Sequence, residues 1–153
     1  MKNTESKVAE HSRLVQRLRR RYGAHLHLLP PGPPSPERLT ACLRALQADY
    51  PEPADALRVL RQLVLERLVV LDCEQQAPLQ AVTQAMTWLA EFTLDQALHI
   101  ATKRVALRHG LPRTSQGEVA QLWIVGMGKL GAAELNVSSD IDLIYVYDED
   151  GHT

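Results

Sequence analysis

Several things are scarce in this 153-residue chain, and each scarcity removes a class of protein. There are only two cysteines, and aromatic residues make up 5% of the sequence. Cys42 and Cys73 have no close-spaced partner and no neighbouring histidine pattern, which argues against a disulfide framework and a structural zinc site. Both read as small buried hydrophobes. No apolar run approaches membrane-spanning length, and the opening MKNTESKVAEHS lacks the apolar stretch of a signal peptide. The expectation is therefore a cytoplasmic protein with no membrane partner. Neither sign of charge is in excess: the formal net charge is −1, which leaves no general electrostatic footprint for nucleic acid. The six histidines, at 11, 25, 27, 99, 109 and 152, are scattered without the helical spacing of a metal site and read as structural or surface residues. What remains, 45% hydrophobic and 23% charged, is the composition of a soluble globular domain.

Most of the chain is patterned for helices. From Lys7 to Tyr22 apolar Val8, Leu14, Val15 and Leu18 alternate with five arginines, predicting a short helix with a basic end. The basic face reads as solvated, since no aromatics interleave with it. The prolines of LLPPGPPSPE, residues 28 to 37, fix φ and remove donors, so this stretch is a spacer between helices. Pro36-Glu37 opens a helix to about Asp49, and Ala54 to Cys73 forms the next, with Leu57, Leu60, Val64, Leu68 and Leu71 in one stripe. Pro51 and Pro53 separate the two. Pro78 opens the longest helix, in which Leu79, Val82, Met86, Leu89, Ala97 and Leu98 share one buried face and Trp88 and Phe92 form a packing pair. The run His109-Gly110-Leu111-Pro112 stops it.

The pattern changes at Gln121. Leu122 to Val125 is a short apolar strand, GMGKLG from Gly126 to Gly131 a glycine-rich loop, and Ile141 to Tyr147 a second strand. Gly126, Gly128 and Gly131 match the G-x-G-x-x-G of a dinucleotide fold, with Asp148 near the place of a ribose-binding acid. The segment between Gly128 and Asn136 is too short for a parallel crossover helix, which weighs against that reading. Asp140 and Asp142 stand two apart at the start of the second strand, so both carboxylates point to one side. Two like charges held together attract a divalent cation, and Mg²⁺ suits one or two carboxylates plus water and phosphate oxygens. In front of them the glycines allow close backbone approach to a phosphate, the N-terminus of a short helix aims N–H groups at it, and Lys129 adds positive charge. A phosphate cradle facing a two-carboxylate metal site is the equipment of nucleotidyl transfer. A bare D-x-D more often only caps a turn; the surrounding residues favour the metal.

The string GMGKLGAAELNVSSDIDLIYVYDEDG, Gly126 to Gly151, resembles the signature of the bacterial glutamine synthetase adenylyltransferases, and the resemblance extends more loosely upstream to about Leu57. It implies an α+β chain, a mainly helical N-terminal array followed by the first two strands of a DNA polymerase beta-like nucleotidyltransferase fold. The expected divisions are 1–35, a basic helix and proline-rich linker; 36–112, a helical region; and 118–153, the start of the nucleotidyltransferase domain. SSDIDLI looks more like the adenylyl-removing domain, implying phosphorolysis of adenylyl-tyrosine on glutamine synthetase with release of ADP, in an enzyme that also adenylylates from ATP and so regulates nitrogen assimilation. By motif position Asp140 and Asp142 are the catalytic, metal-holding residues, with Mg²⁺ or Mn²⁺. Gly128, Lys129 and Ser139 lie at the phosphates, while Ser138 either joins them or caps the turn. The implied partners are glutamine synthetase and nitrogen-status signal proteins. Two departures stand out: Ala132-Ala133 replaces a pair in which the family usually carries a glycine, and the family's third metal-binding carboxylate lies on a later strand, whereas this chain ends eleven residues after Asp142. The chain is therefore expected to be an inactive fragment. The alternatives are a non-catalytic helical interaction module and the dinucleotide-binding domain.

Overall fold

The computed structural model describes residues 8–150; Lys7, His152 and the opening segment weighed above for a signal sequence lie wholly or largely outside them. The architecture is α+β: helices fill the first three quarters and a two-stranded sheet follows. Four helices make the body: α1 (Arg13–Tyr22), α2 (Pro36–Leu46), α3 (Pro53–Cys73) and α4 (Leu79–His109). Their starts follow local chemistry. The Ser12 hydroxyl accepts from the Val15 N–H and that of Ser35 from the Arg38 N–H, both at 3.4 Å, satisfying donors that a helix leaves orphaned. Pro36 and Pro53 occupy first-turn positions, where a missing N–H costs nothing. Gly110, at φ 83°, ends α4 in a conformation that glycine adopts freely.

α3 is the central element, in contact with α1, α2 and α4. Its expected stripe broadens accordingly. Leu60, Val64, Leu68 and Leu71 are buried as the spacing predicts, but so are Ala56, Val59, Leu63 and Leu65, because partners lie on more than one side. Leu57 is only half-buried. The short connection after Cys73 turns α4 antiparallel to α3, and Arg104 of α4 approaches Glu52 at 3.7 Å. On α4 the predicted face is correct over Val82, Met86 and Leu89 and fails at both ends: Leu79 is 70% exposed, Ala97 is exposed and Leu98 is half-buried. Past Leu89 the neighbour on the far side is the hairpin, which stands off across open clefts lined by Asp95, Leu98, Gln121 and Leu122. Trp88 and Phe92 both pack against the core.

The proline-rich stretch separates helices as expected, but it is folded down onto them. Leu29 and Pro34 are fully buried. Arg67 of α3 donates to the carbonyls of Leu26 and Leu29, at 2.8 and 2.7 Å, while Arg38 holds those of Pro31 and Pro33. A 3-10 helix, Gly23–Leu28, leads into this stretch. At the centre Glu66 is 1% exposed and bonded at one oxygen to Arg19 of α1 (2.7 Å) and at the other to Arg67 (3.0 Å). Cys42 is buried as expected; Cys73, at the last position of α3, is exposed because the chain leaves the core there.

The sheet pairs β1 (Leu122–Gly126) with β2 (Leu143–Tyr147) antiparallel, Leu122 opposite Tyr147 and Gly126 opposite Leu143. This geometry removes the dinucleotide reading of GMGKLG, which needs parallel strands joined by a full crossover helix. Asp148 is engaged elsewhere, both its carboxylate oxygens accepting the Gln121 N–H at 3.0 Å, and Glu149 reaches the backbone N–H and hydroxyl of Ser115. These acids close the open end of the hairpin. The helices do not cover the sheet, and Trp123, Ile144, Tyr145 and Tyr147 remain about half-exposed.

Candidate functional site

The two strands are joined by residues 127–142, and this connection holds Gly128, Lys129, Ser138, Ser139, Asp140 and Asp142. It begins with α5 (Gly128–Gly131), a single turn. Gly128 sits at φ 54°, where a side chain is strained, and a Cβ on Gly131 would stand 2.5 Å from the Gly126 carbonyl oxygen. Both glycines are therefore required by the backbone itself, before any ligand is considered. Four residues build almost no macrodipole, so the expected N–H cradle at a helix N-terminus is reduced to the loop backbone and Lys129.

Two apolar residues fix the loop to the helical body. Leu130 and Leu135 are 5% and 2% exposed and belong to the same core as α2, α3 and α4. The Leu135 N–H also donates to the Thr87 hydroxyl of α4 at 3.4 Å, giving a buried hydroxyl its partner. Between these anchors Ala133 adopts φ 57°. The departure noticed in Ala132-Ala133 thus has a geometric meaning, because one of the two alanines occupies a left-handed position that favours glycine.

Of the phosphate-side candidates, the structure brings Lys129 and Ser139 together. The Lys129 ammonium donates to the Ser139 hydroxyl at 3.4 Å, and that hydroxyl donates to the Asn136 side-chain oxygen at 2.6 Å. The Ser139 N–H donates to the Asn136 carbonyl at 3.2 Å, closing the turn. Asn136, which the sequence marked only as the end of a short segment, therefore orients Ser139. The available signal was an Asn three residues before a Ser in a turn-forming stretch. Ser138 lies in the turn and is exposed.

Asp140 and Asp142 are placed differently from expectation. The strand begins at Leu143, two residues later than read, so both acids lie on the lead-in rather than within the ladder. Pairing still reaches Asp142 through its backbone, whose carbonyl accepts the Met127 N–H at 2.9 Å. That bond sets the carboxylate segment directly beside the start of the glycine loop. Both side chains are exposed, and among the described residues neither makes an ion pair or hydrogen bond. Two unpaired carboxylates one residue apart fit a hard divalent cation that completes its shell with water and phosphate oxygens. No group of three His, Cys, Asp or Glu side chains suited to a metal comes together among the described residues, so the donor set here is two carboxylates. No described helix is long and apolar enough to cross a membrane.

Comparison with known proteins places this arrangement in context. The family model described as glutamate-ammonia ligase adenylyltransferase matches residues 4–153. The chain is 43% identical over 152 residues to a bifunctional glutamine synthetase adenylyltransferase/adenylyl-removing enzyme of Ralstonia nicotianae, covering 94% of this chain and 16% of that protein. Proteins of the same description from Chromobacterium violaceum and Bordetella pertussis are 50% and 48% identical over 107 and 98 residues, covering 69% and 63% of this chain and 12% and 10% of theirs. The chain thus spans a small part of the length of each relative.

Proposed function

Because the chain belongs to the glutamate-ammonia ligase adenylyltransferase family, we propose that residues 126–142 supply part of a nucleotidyltransferase site that acts on glutamine synthetase and serves the control of nitrogen assimilation. The observation that carries this reading is the convergence of Lys129 and Ser139 beside a segment with two unpaired carboxylates. Asp140 and Asp142 hold Mg²⁺ or Mn²⁺, and Gly128, Lys129 and Ser139 receive phosphate oxygens. A cation bound there supplies charge neutralisation and alignment of phosphate oxygens. Lys129 has two ammonium protons beyond the one shared with Ser139, and these are the donors left for a phosphate. Asn136 holds the Ser139 oxygen in place while Lys129 engages. In the direction proposed, phosphorolysis, inorganic phosphate attacks the adenylyl phosphorus, the tyrosine oxygen leaves and takes up a proton, and ADP is the product; adenylylation is a separate reaction, in which the tyrosine oxygen attacks the α-phosphorus of ATP, gives up its proton and pyrophosphate leaves. Glutamine synthetase is the protein substrate, and nitrogen-status signal proteins are the regulators. Two carboxylates hold a cation weakly, so the chain by itself is proposed to be inactive.

A chimera tests this: the present chain replaces the matching part of the Ralstonia relative and is assayed for ADP release from adenylylated glutamine synthetase with phosphate and Mg²⁺. The expected result is activity in the chimera, a loss of roughly two orders of magnitude or more in Asp140→Asn and in Asp142→Asn, and no turnover by the chain alone. Unimpaired ADP release by both asparagine variants would sink the assignment. A non-catalytic interaction module is favoured instead if the chain binds glutamine synthetase while the active chimera is indifferent to every substitution at Lys129, Ser139, Asp140 and Asp142.

A further inference from the structure

The helix α1 contains five arginines and neither lysine nor an acidic residue. Arg19 turns inward to the buried Glu66. The other four, Arg13, Arg17, Arg20 and Arg21, are exposed, and among the described residues none of them makes an ion pair. At about 100° per residue they fall within an arc of roughly 100°, a single outward stripe. This stripe works against the helix that carries it. Arg13 with Arg17 and Arg17 with Arg21 are like charges at i,i+4, and Arg13 places a cation in the first turn, at the wrong end of the dipole. Solubility alone is served by lysine and by mixed signs; a pure arginine face offers planar forks that bind carboxylates bidentately.

The stripe is also held rigidly. Val15 and Leu18 are buried under it, and the Arg19–Glu66 bond fixes its rotation on α3. Along its flank a cleft of about 350 Å³ opens between α1 and α3, lined by Leu14, Arg17 and Arg21 of α1 and Gln62 of α3. Arg21 lies over the Tyr22 ring, 5.3 Å from its centre. Tyr22 itself packs against the core, so the helix offers no free aromatic face on which a nucleic-acid base would stack. The C-terminal part of the protein is unsuited to a polyanion as well: residues 113–150 contain seven acids (Glu118, Glu134, Asp140, Asp142, Asp148, Glu149, Asp150) against Arg113 and Lys129.

We propose that the outward face of α1 is a docking surface for an acidic protein segment, one of whose carboxylates enters the α1–α3 cleft between Arg17 and Arg21. The proposal is independent of the nucleotidyltransferase site, which lies at the other end of the sequence.

The test titrates the 153-residue chain into a fluorescently labelled glutamate-rich peptide at low salt and follows anisotropy. Saturable binding that weakens as salt rises is expected, at least tenfold weaker in Arg17→Gln/Arg21→Gln, measurably weaker in Arg17→Lys/Arg21→Lys, and unchanged in Arg108→Gln on the distant end of α4. Absence of peptide binding to the unmodified chain overturns the proposal whatever the variants do. So does an equal loss in Arg108→Gln, or full retention in the glutamine pair. Tighter binding of a single-stranded oligonucleotide of matched charge, or of phosphatidylserine vesicles, also overturns it by assigning the stripe to a different class of partner.

Discussion

Glu66 is the residue whose loss tests the account of the helical body most severely. It is 1% exposed, and each of its oxygens holds one guanidinium, Arg19 from α1 and Arg67 from its own helix. Glu66→Gln keeps the shape and removes the charge, leaving two arginines facing an amide that accepts at only one atom. Removing one member of a buried ion pair costs on the order of 3–5 kcal/mol. Here the figure is discounted, because the Arg19 side chain is 34% exposed and regains water, whereas Arg67 is 14% exposed and retains only its bonds to Leu26 and Leu29. A loss of about 2–3 kcal/mol is therefore expected, against about 1 kcal/mol for Arg19→Ala. Urea unfolding followed by circular dichroism, with the half-buried Trp88 as a fluorescent probe, measures both. A Glu66→Gln cost below about 1 kcal/mol, or one smaller than that of Arg19→Ala, refutes the view that a desolvated carboxylate ties α1 and the proline-rich segment to α3.

Three further outcomes follow from the described geometry. Burial pushes the Cys42 thiol up to about 11, while Cys73 is exposed; a thiolate reagent near neutral pH should label one cysteine per native chain and the second only on unfolding, and equal reactivity contradicts the burial of Cys42. Ala133→Gly relieves a left-handed alanine and should stabilise the loop by about 1 kcal/mol, read as slower amide exchange at Glu134 and Leu135. Gly131→Ala drives a methyl to 2.5 Å from the Gly126 carbonyl and should cost about 1–3 kcal/mol in a urea melt; a neutral result means that the loop is not packed as described.

The helices were legible because their ends are written locally. Pro36, Pro53, Pro78 and Gly110 each punctuate the chain through chemistry confined to a few residues, and the limits of α2, α3 and α4 fall within a few positions of them; the first helix, read from Lys7, begins only at Arg13, because Ser12 caps it there after a 3-10 turn over Val8–His11. Burial toward the two ends of α4 was not legible, because Leu79 and Ala97 continue the apolar period of Val82, Met86 and Leu89 yet depend on neighbours that the period does not reveal. For the same reason the proline-rich stretch read as a bare spacer: Arg67 lies 38 residues beyond Leu29, and nothing local announces their bond. In the site, Lys129 and Ser139 came from the motif and its resemblance. Thr87 did not, since it matters through a contact 48 residues away that only folding creates, and Asn136 was passed over although its contact with Ser139 is local. The start of β2 was read two residues early because Ile141 continues the apolar alternation, whereas the strand assignment begins at Leu143.

The way the connection is anchored explains why a helical body precedes the proposed site. Leu130 and Leu135 sink into the core of α2, α3 and α4, and the Leu135 backbone bonds to Thr87, so the half of the loop that bears Lys129 is fixed to the helices. Val137 and Leu143 are partly buried against that core, and Asp140 and Asp142, between them, are exposed and make no side-chain hydrogen bond or ion pair among the described residues. On the proposed reading, the phosphate side is positioned by the fold itself, while the carboxylate side is left to take its arrangement from a bound cation. Ordering two exposed carboxylates costs side-chain entropy that a lone cation must offset. A nucleotide phosphate bridging Lys129 and the cation adds contacts on the side already fixed. Mn²⁺ should therefore bind the chain more tightly in the presence of ADP than alone, and that difference should vanish in Lys129→Ala while weak binding of the cation by itself persists. Equal Mn²⁺ affinity with and without ADP would show that the two halves of the connection do not act on one ligand.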